Sequence, residues 1–479
     1  MHLGIDVGTS SVKAVLVDEA DRIIAEAAHA VPISRPRSLW SEQDPQDWWD
    51  ATCAALDRLA ADAPQSMAAV KGIGLSGQML GVTLLDAADR PIRPALLWDD
   101  GRAGDECKLL HERFADFPDI VGCRAMPGFS APKLLWLARH EPEALRRTRR
   151  ILLPKDYVRL QLTGDAASDR ADSSATLLMD TREGDWHDGI VGFCGIERAW
   201  LPRLAESTDI TGVVRPDLAT RWQLDRQTPV VGGGGDNMCA GVGVGAVRAG
   251  EGYISLGTSG VYFIANDAFV PARGGGMHTH RHAVSGLFAQ HAVVLSAAGS
   301  LAWVARLLGA QDVGALIARV EAAGLSPAET PVFTPYLAGE RTPHDDPHLT
   351  ATFSCLTYAT GPLHLVQAVL EGVALALADG HEALRASGAS ARRLVLTGGG
   401  SRSRRWAELI ASALGVPLVI HATSREGPAL GAARLARQGT GGPLIARMSP
   451  DARFIEPDPG LRAALLAKRD AFRAHLQPG

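Results

Sequence analysis

Apolar and polar side chains alternate along the first thirty residues with a period of two, which is typical of strands with one buried face. The alternation predicts three strands that follow one another as a meander, over His2–Val7, Val12–Val17 and Arg22–Ala30. A polar turn, Gly8-Thr9-Ser10, separates the first strand from the second.

The same pattern returns in the second half of the chain. Strands predicted over Gly252–Leu256 and Val261–Ile264 flank a similar turn, Gly257-Thr258-Ser259. The repetition indicates two related halves, with a boundary near Ala246–Gly250. We therefore expect two domains, 1–246 and 247–479.

Helical periodicity alternates with apolar strands in both halves, which predicts the α/β class. Asp44-Pro45 begins a predicted helix that runs to about Ala61, because aspartate caps helices and proline fits their first turn. Val82–Asp86 is predicted to pair with a strand around Ala95–Trp98. In the second half the predicted elements are the helices Ala297–Leu308, Pro362–Ala386 and Arg402–Leu414 and the strand Arg393–Thr397.

Composition places the chain among ordinary globular proteins. Its 479 residues are 46% hydrophobic and 21% charged, and its net charge is −5. No basic stripe exists to neutralise phosphates, so nucleic acid is not an expected partner. The six cysteines lack metal-ligand spacing, and the chain opens directly on a strand, so we expect reduced thiols and a cytoplasmic protein. Polar residues interrupt the longest apolar stretch, Val293–Ala310, and no membrane association is expected.

The two glycine turns are candidate anion sites. Glycine lets backbone N–H groups approach a ligand, and the hydroxyls of Thr9, Ser10 and Thr258 add donors. A carboxylate beside bound phosphate requires an intervening cation, so Asp6 suggests Mg²⁺ held through water. A single turn of this kind is more simply a structural hairpin. Two copies suggest a polyphosphate gripped from both sides.

Asp236 directly follows three glycines at the end of an apolar strand, Pro229–Gly232. The glycines leave room for a substrate, and the strand end would hold the carboxylate rigidly. Such an acid can accept a proton from a hydroxyl that attacks a γ-phosphate. The alternative is a helix N-cap, a position that aspartate favours. The two interpretations are compatible.

A third glycine turn, Gly398-Gly399-Gly400, joins the strand that ends at Thr397 to the helix that follows. It offers a flat surface for a base or ribose and a helix N-terminus near phosphates. An ordinary strand–helix turn remains the alternative.

Together these segments resemble the nucleotide-binding segments of the sugar kinase/actin/Hsp70 superfamily, and within it the FGGY carbohydrate kinases. Gly128–His140 is similar to the first signature of that family, and Ala351–Glu371 to the second, with Cys355 where glycine is usual. Further segments are similar to its bacterial members that phosphorylate D-xylulose: Leu39–Pro45, Leu153–Tyr157 and Gly339–His344.

The resemblance implies two actin-like (ribonuclease H-like) ATPase domains with a cleft between them, and transfer of phosphate from ATP with Mg²⁺ to D-xylulose, giving D-xylulose 5-phosphate. It also suggests a homodimer. Asp236 would be the general base, and Asp6 would hold the metal through water. The nucleotide would be bound by Gly8, Thr9, Ser10, Gly257, Thr258, Gly399, Gly400 and Ser403. The sugar would be bound by Gln78, Met79, Leu80, Trp98, Asp99, Arg102, Asp236 and Asn237.

Two positions depart from the pattern of those relatives. Leu80 stands where histidine is frequent, and Asp99 where asparagine is frequent. Leucine lacks a hydrogen bond that histidine could make, so another ketopentose or a polyol is an alternative acceptor. An alternative of a different class is an actin-like ATPase switch without sugar chemistry. Asp236 and the signature around Lys133–His140 favour the kinase, because a switch needs no acid that faces an acceptor hydroxyl.

Overall fold

A computed structural model describes residues 1–421, 427–444 and 452–474. Its N-terminal half is built on a seven-stranded sheet in which the first three strands form the expected antiparallel meander. The first strand, His2–Val7, also pairs in parallel with Ile73–Gly77. In spatial order the strands are Ile210–Val213, Pro229–Val231, Ile73–Gly77, His2–Val7, Ser11–Val17 and Ile23–Ala30, with Gly234–Gly235 also beside Ile73–Gly77.

The second half contains another seven-stranded sheet with the same central topology. Its first strand, Glu251–Leu256, pairs antiparallel with the strand that follows it and parallel with Arg393–Thr397. In spatial order the strands are His278–Arg281, Phe288–Val294, Gly260–Asn266, Glu251–Leu256, Arg393–Thr397, Leu418–Ile420 and Arg453–Ile455. The duplication inferred from the two turns is therefore confirmed within the described residues.

Helices cover both sheets and build the parts between them. The predicted helix after Asp44 is present, and the Asp44 carboxylate accepts the N–H of Gln46 at 2.9 Å. The α-helices are Pro45–Asp62, Pro64–Ala68, Gly104–Arg113, Phe117–Val121, Ser130–His140, Pro142–Arg147, Pro154–Thr163, Arg170–Ser174, Asp188–Phe193, Pro216–Arg221, Asp236–Gly243, Ala298–Leu307, Val313–Ala323, Pro362–Ala386, Arg404–Leu414, Gly427–Gly439 and Pro459–Ala474.

Five short two-stranded ladders lie outside the two large sheets in the described residues. They pair Glu42–Gln43 with Ala95–Leu96, Thr83–Leu85 with Arg150–Leu152, Ala167–Asp169 with Arg203–Ala205, Met179–Asp180 with Asp185–Trp186, and Val332–Thr334 with Thr352–Ser354.

The pairing predicted between Val82–Asp86 and Ala95–Trp98 is present at one position only. Val82 and Leu96 share a single bridge, whereas Thr83–Leu85 pairs with the distant strand Arg150–Leu152. Leu85 also forms an isolated bridge with Pro91, and Pro91 and Pro94 lack N–H donors, which limits further local pairing.

The two halves exchange helices across their interface. Helix Gly427–Gly439, from the second half, packs on the first strands of the N-terminal sheet, and helix Asp236–Gly243 packs between it and the C-terminal sheet. The backbones cross so closely that a Cβ atom on Gly431 would lie 1.8 Å from the carbonyl oxygen of Cys239. Only glycine allows this approach.

Helix Pro362–Ala386 is, within the described ranges, the one helix long and apolar enough to cross a membrane. Of its most apolar 18-residue window, 83% is buried inside the protein. The helix packs against Phe333 and Trp406, so it is the central core helix of the C-terminal half.

Candidate active site

Two carboxylates lie at the same edge of the N-terminal sheet. Asp6 is opposite Ser76 in the parallel pair of strands, and Gly234 is opposite Ser76 from the other side. Because the carboxyl ends of parallel strands meet at one edge, Asp6 and Asp236 flank the central strand there. Sequence reasoning assigned these two acids separate roles, and the topology brings them together.

Asp236 begins a helix but does not cap it. Gly235 occupies the cap position, and among the described residues the Asp236 carboxylate accepts a hydrogen bond from its neighbour's N–H, that of Asn237, at 2.6 Å. The N-cap interpretation is therefore wrong. Burial, reinforced by the negative charge of Asp6, raises the pKa of Asp236 to about 7. A carboxylate with that pKa is suited to accept a proton near neutral pH.

The glycine turns of the two halves are each closed by a backbone hydrogen bond, which spans three residues in the first turn and two in the second. The Gly8 N–H donates to the carbonyl of Ser11 at 3.0 Å, and the Gly257 N–H donates to the carbonyl of Ser259 at 3.0 Å. The Thr258 carbonyl accepts N–H groups at the start of helix Ala298–Leu307, which anchors the second turn.

A cavity of about 400 Å³ lies between the carboxyl edges of the two sheets. Asp236 and Asn237 line it from one half, and Gly398 and Gly399 line it from the other. The acid and the third glycine turn therefore face one space. Its remaining walls are formed by Ala240, Val244, Tyr253, Ser255, Val261, Thr397, Arg402, Gly427 and Pro428.

Two residues predicted to contact nucleotide are turned into the C-terminal core. Gly400 packs so closely on Leu256 and Trp406 that a Cβ atom would lie within 3 Å of both. Ser403 caps the following helix by accepting the Trp406 N–H at 3.1 Å, and its hydroxyl donates to Glu321. Their nucleotide contacts are not supported by this packing.

The cavity also contains residues that sequence reasoning missed. Arg402 is an exposed cation on its wall, and Tyr253 donates its hydroxyl to the Asn237 side chain at 3.1 Å. Tyr253 lies in the strand before the second turn, where tyrosine is a common residue and does not by itself indicate a binding role. Arg402 lies in the third glycine-turn segment but was not among the predicted site residues, and no local motif marked Tyr253.

The surroundings of Asp6 suit a hydrated cation. Among the residues that the structure describes, the Asp6 Oδ1 atom is buried without a hydrogen-bond partner, and Ser76 lies opposite Asp6 on the neighbouring strand. Burial raises the pKa of Asp6 to about 6, against the opposing influence of the nearby Ser76 hydroxyl and of the charge of Lys13. Unsatisfied carboxylate oxygens are costly unless water or a cation meets them, so this donor set fits a water-coordinated Mg²⁺.

The predicted sugar residues form a connected polar network at the rim of the first turn. The Thr9 hydroxyl donates to Gln78 Oε1 at 3.1 Å and accepts from Trp98 Nε1 at 3.0 Å. The Gln78 amide donates in turn to Gln43 at 2.8 Å. On the other side, the Asn237 amide contacts the Met79 sulfur at 3.6 Å. Ser10, at the tip of the turn, is exposed.

Arg102 and Asp99 have other partners. The Arg102 guanidinium is buried, forms ion pairs with Asp100 and Glu42 at 2.7 Å, and stacks on Trp40. These pairs hold the guanidinium beneath the loop, while its Nη1 atom has no hydrogen-bond partner among the described residues, so the contact between Arg102 and sugar stays a prediction. Asp99 pairs with Arg35 at 2.9 Å at the surface.

A charged cluster lies behind the sheet edge that carries Asp6 and Asp236, with every member fully buried. Lys155 forms ion pairs with Asp156 at 2.6 Å, Asp169 at 2.7 Å and Asp172 at 3.4 Å. Burial alone would lower the pKa of Lys155, but the three carboxylates outweigh it and raise the pKa. An Asp172 oxygen would lie 2.9 Å from a Cβ atom on Gly235, so the cluster packs closely against the backbone that precedes Asp236.

Comparison with known proteins identifies the family. The sequence pattern of the N-terminal domain of the FGGY family of carbohydrate kinases matches residues 1–243, and that of the C-terminal domain matches residues 252–438. The chain belongs to the FGGY family of carbohydrate kinases. Its carbohydrate kinase character and its two-domain α/β fold, predicted from the motifs, are confirmed.

This FGGY kinase is similar along its whole length to proteins named xylulose kinase. It is 43% identical to the one from Escherichia coli K12, over 100% of this chain and 99% of the relative. It is 45% identical to the one from Klebsiella pneumoniae, over 91% and 89%. Among solved structures, the "xyloylose kinase" from Brucella ovis superimposes with a TM-score of 0.95 at 41% identity, over 99% of this chain and 98% of that one.

Proposed function

We propose that this FGGY kinase transfers the γ-phosphoryl group of ATP to D-xylulose and forms D-xylulose 5-phosphate. The observation that carries the proposal is the cavity lined by Asp236 from one half and by Gly398 and Gly399 from the other. The full-length similarity to xylulose kinases supports the choice of sugar. The division into domains 1–246 and 247–479 is part of the proposal.

In the proposed reaction, Asp236 takes the proton of the C5 hydroxyl as its oxygen bonds to the γ-phosphorus. The bond from that phosphorus to the β–γ bridging oxygen breaks, and ADP leaves. The raised pKa of the carboxyl allows it to accept a proton near neutral pH, and its place at a strand end keeps it fixed. Asn237 and Gln78 would orient the sugar.

The nucleotide would lie against Gly399, and the backbone N–H groups of the turns at Gly8, Gly257 and Thr258 would face its phosphates. Asp6 would hold Mg²⁺ through water, as its unpartnered Oδ1 suggests. When bound, the metal would neutralise part of the negative charge of the phosphates. Closure of the cleft would exclude water, so that the sugar and not water accepts the phosphoryl group.

The direct test measures ADP release with MgATP in the presence of D-xylulose, other ketopentoses, aldoses and polyols. We expect turnover that depends on the sugar and is fastest with D-xylulose. Turnover that is the same with and without every sugar would instead indicate an ATPase switch. A preference for a polyol or another ketose would reassign the acceptor.

The base is tested with Asp236→Asn, which keeps the shape of the side chain but cannot take the proton. We expect kcat to fall by about 10²–10⁴-fold while the affinity for MgADP, measured calorimetrically, stays within twofold. Asp188→Asn is the matched control, because Asp188 is also the first residue of a helix but is at the surface. If Asp236→Asn keeps more than a tenth of the parent kcat, Asp236 is not the base.

A further inference from the structure

Lys133 is fully buried, and within the described part of the chain its ammonium group makes no ion pair. Burial lowers its pKa to about 7, although the charges of Asp100 and Asp99 oppose this. An ammonium group removed from water without a carboxylate partner is unfavourable unless its donors are fully used. The contacts of Lys133 therefore need a specific explanation.

All three donors of the ammonium group point at backbone carbonyls. The Lys133 Nζ atom donates to the carbonyl of Leu80 at 2.8 Å, of Leu97 at 2.7 Å and of Leu96 at 3.3 Å. The Ser130 hydroxyl, one helical turn earlier, also donates to the Leu80 carbonyl, at 2.9 Å. A lysine has three donors and no acceptor, so its hydrogen-bonding capacity is exhausted.

These carbonyls belong to the two separate segments that form the sugar side of the site. Leu80 directly follows Gln78 and Met79, and Leu97 directly precedes Trp98. Gln78 and Trp98 meet at the Thr9 hydroxyl, at 3.1 Å and 3.0 Å. One side chain therefore connects both segments from behind.

The Leu80 backbone requires such a restraint. Its φ angle is +68°, in the left-handed region that residues with a Cβ atom rarely adopt. The two hydrogen bonds to its carbonyl, from Lys133 and Ser130, fix the peptide in this orientation. Without them the segment is expected to relax toward ordinary backbone angles and to shift Gln78 and Met79.

We infer that Lys133 is a positioning residue that determines ketose selectivity by fixing the spacing between segments 78–80 and 96–98. This inference rests on the proposed kinase function. Lys133 is fully buried behind the two segments and would contact neither substrate. It acts through the Leu80 and Leu97 carbonyls, whose positions set where the Gln78 and Trp98 side chains meet the sugar.

The test is Lys133→Met, which keeps the length of the side chain and removes the three donors. We expect KM for D-xylulose to rise about tenfold or more and the ratio of kcat/KM for D-xylulose over D-ribulose to fall at least fivefold, because displacements near 1 Å can cost about 100-fold. KM for MgATP should stay within twofold. Lys108→Met, at an exposed lysine paired with Asp105, is the matched control and should change none of these values.

A purely structural role would lower the melting temperature without changing the sugar ratio. A ratio within twofold of the parent would overturn the inference. If Lys133→Met does not fold, Ser130→Ala removes one of the two donors to Leu80 and should shift the ratio in the same direction, by about two- to threefold. An unchanged ratio of kcat/KM for the two sugars in Ser130→Ala would also overturn the inference.

Amide hydrogen exchange separates this inference from the proposed function. Even if the parent phosphorylates no ketose, Lys133→Met should accelerate exchange at 78–81 and 97–99 at least tenfold, and Lys108→Met should not. Exchange that stays at the parent rate in both segments would show that the lysine does not hold them, whatever the substrate is.

Discussion

The helix crossing between the two halves gives a sharp test of how packing controls the active site. Gly431, in helix Gly427–Gly439, faces the backbone of helix Asp236–Gly243. In Gly431→Ala the new Cβ atom would lie 1.8 Å from the Cys239 carbonyl oxygen and 3.0 Å from the Gly243 nitrogen. Both are backbone atoms, so no side-chain rotation relieves the clash.

The size of the displacement follows from these distances. A carbon–oxygen contact needs about 3.3 Å, so the two helices must separate by about 1.5 Å at the crossing. Overpacking of this kind destabilises proteins by about 1–3 kcal/mol. The displaced helix begins at Asp236, and a 1 Å error in the position of a catalytic group costs about 100-fold in rate.

We therefore expect kcat of Gly431→Ala to fall about 100-fold and its unfolding free energy to fall by about 1–3 kcal/mol. Steady-state kinetics and urea denaturation measure the two effects. Gly192→Ala is the control, because Gly192 also lies in a helix but has nothing within 4 Å of its Cβ position. The control should be as active as the parent and slightly more stable. A kcat for Gly431→Ala within threefold of the parent would refute the reasoning that the crossing positions the base.

Two further predictions concern buried charge. Lys155→Met leaves three buried carboxylates without their main counter-ion and should lower the unfolding free energy by about 3–5 kcal/mol. The control is Lys71→Met, which removes an exposed pair with Glu19 and should have no detectable effect in the same urea titration. Equal losses of stability in the two variants would contradict this prediction. His280 is buried and its pKa is lowered to about 3, so its contribution to stability is complete above pH 6.5 and is lost as the pH falls below that value. When the pH is lowered from 7.5 to 5.5, the parent should therefore lose about 1.4 kcal/mol more unfolding free energy than His280→Gln. If the difference in unfolding free energy between the two proteins does not depend on pH, His280 is not held neutral.

Elements defined by strong local periodicity were predictable from the sequence. Helix Pro362–Ala386 and strand Arg393–Thr397 have the predicted bounds, and strand His2–Val7 has them too. In each, the apolar pattern and the flanking turn residues agree. The duplication was also readable, because the two turns repeat the same residue types.

Features that depend on distant partners were not predictable. Arg102 was expected to contact sugar, yet it is paired with Glu42, a residue sixty positions away. Ser403 was expected to contact nucleotide, but its hydroxyl caps a helix. Arginine and serine suit either role, and only the tertiary contacts decide between them. The cation site at Asp6 remains a prediction, as do the nucleotide and sugar contacts of the turns.

The exchange of helices between the halves also affects synthesis of the protein. Val15 and Val17 of the N-terminal sheet pack on Ala429, Leu430 and Ala433, which lie more than four hundred residues further along. A ribosome adds about 5–20 residues each second, so this face would stay uncovered for roughly 20–80 s after its strands emerge. The growing chain therefore depends on late translation to shield its earliest strands, and chaperones have their best opportunity to bind during that interval.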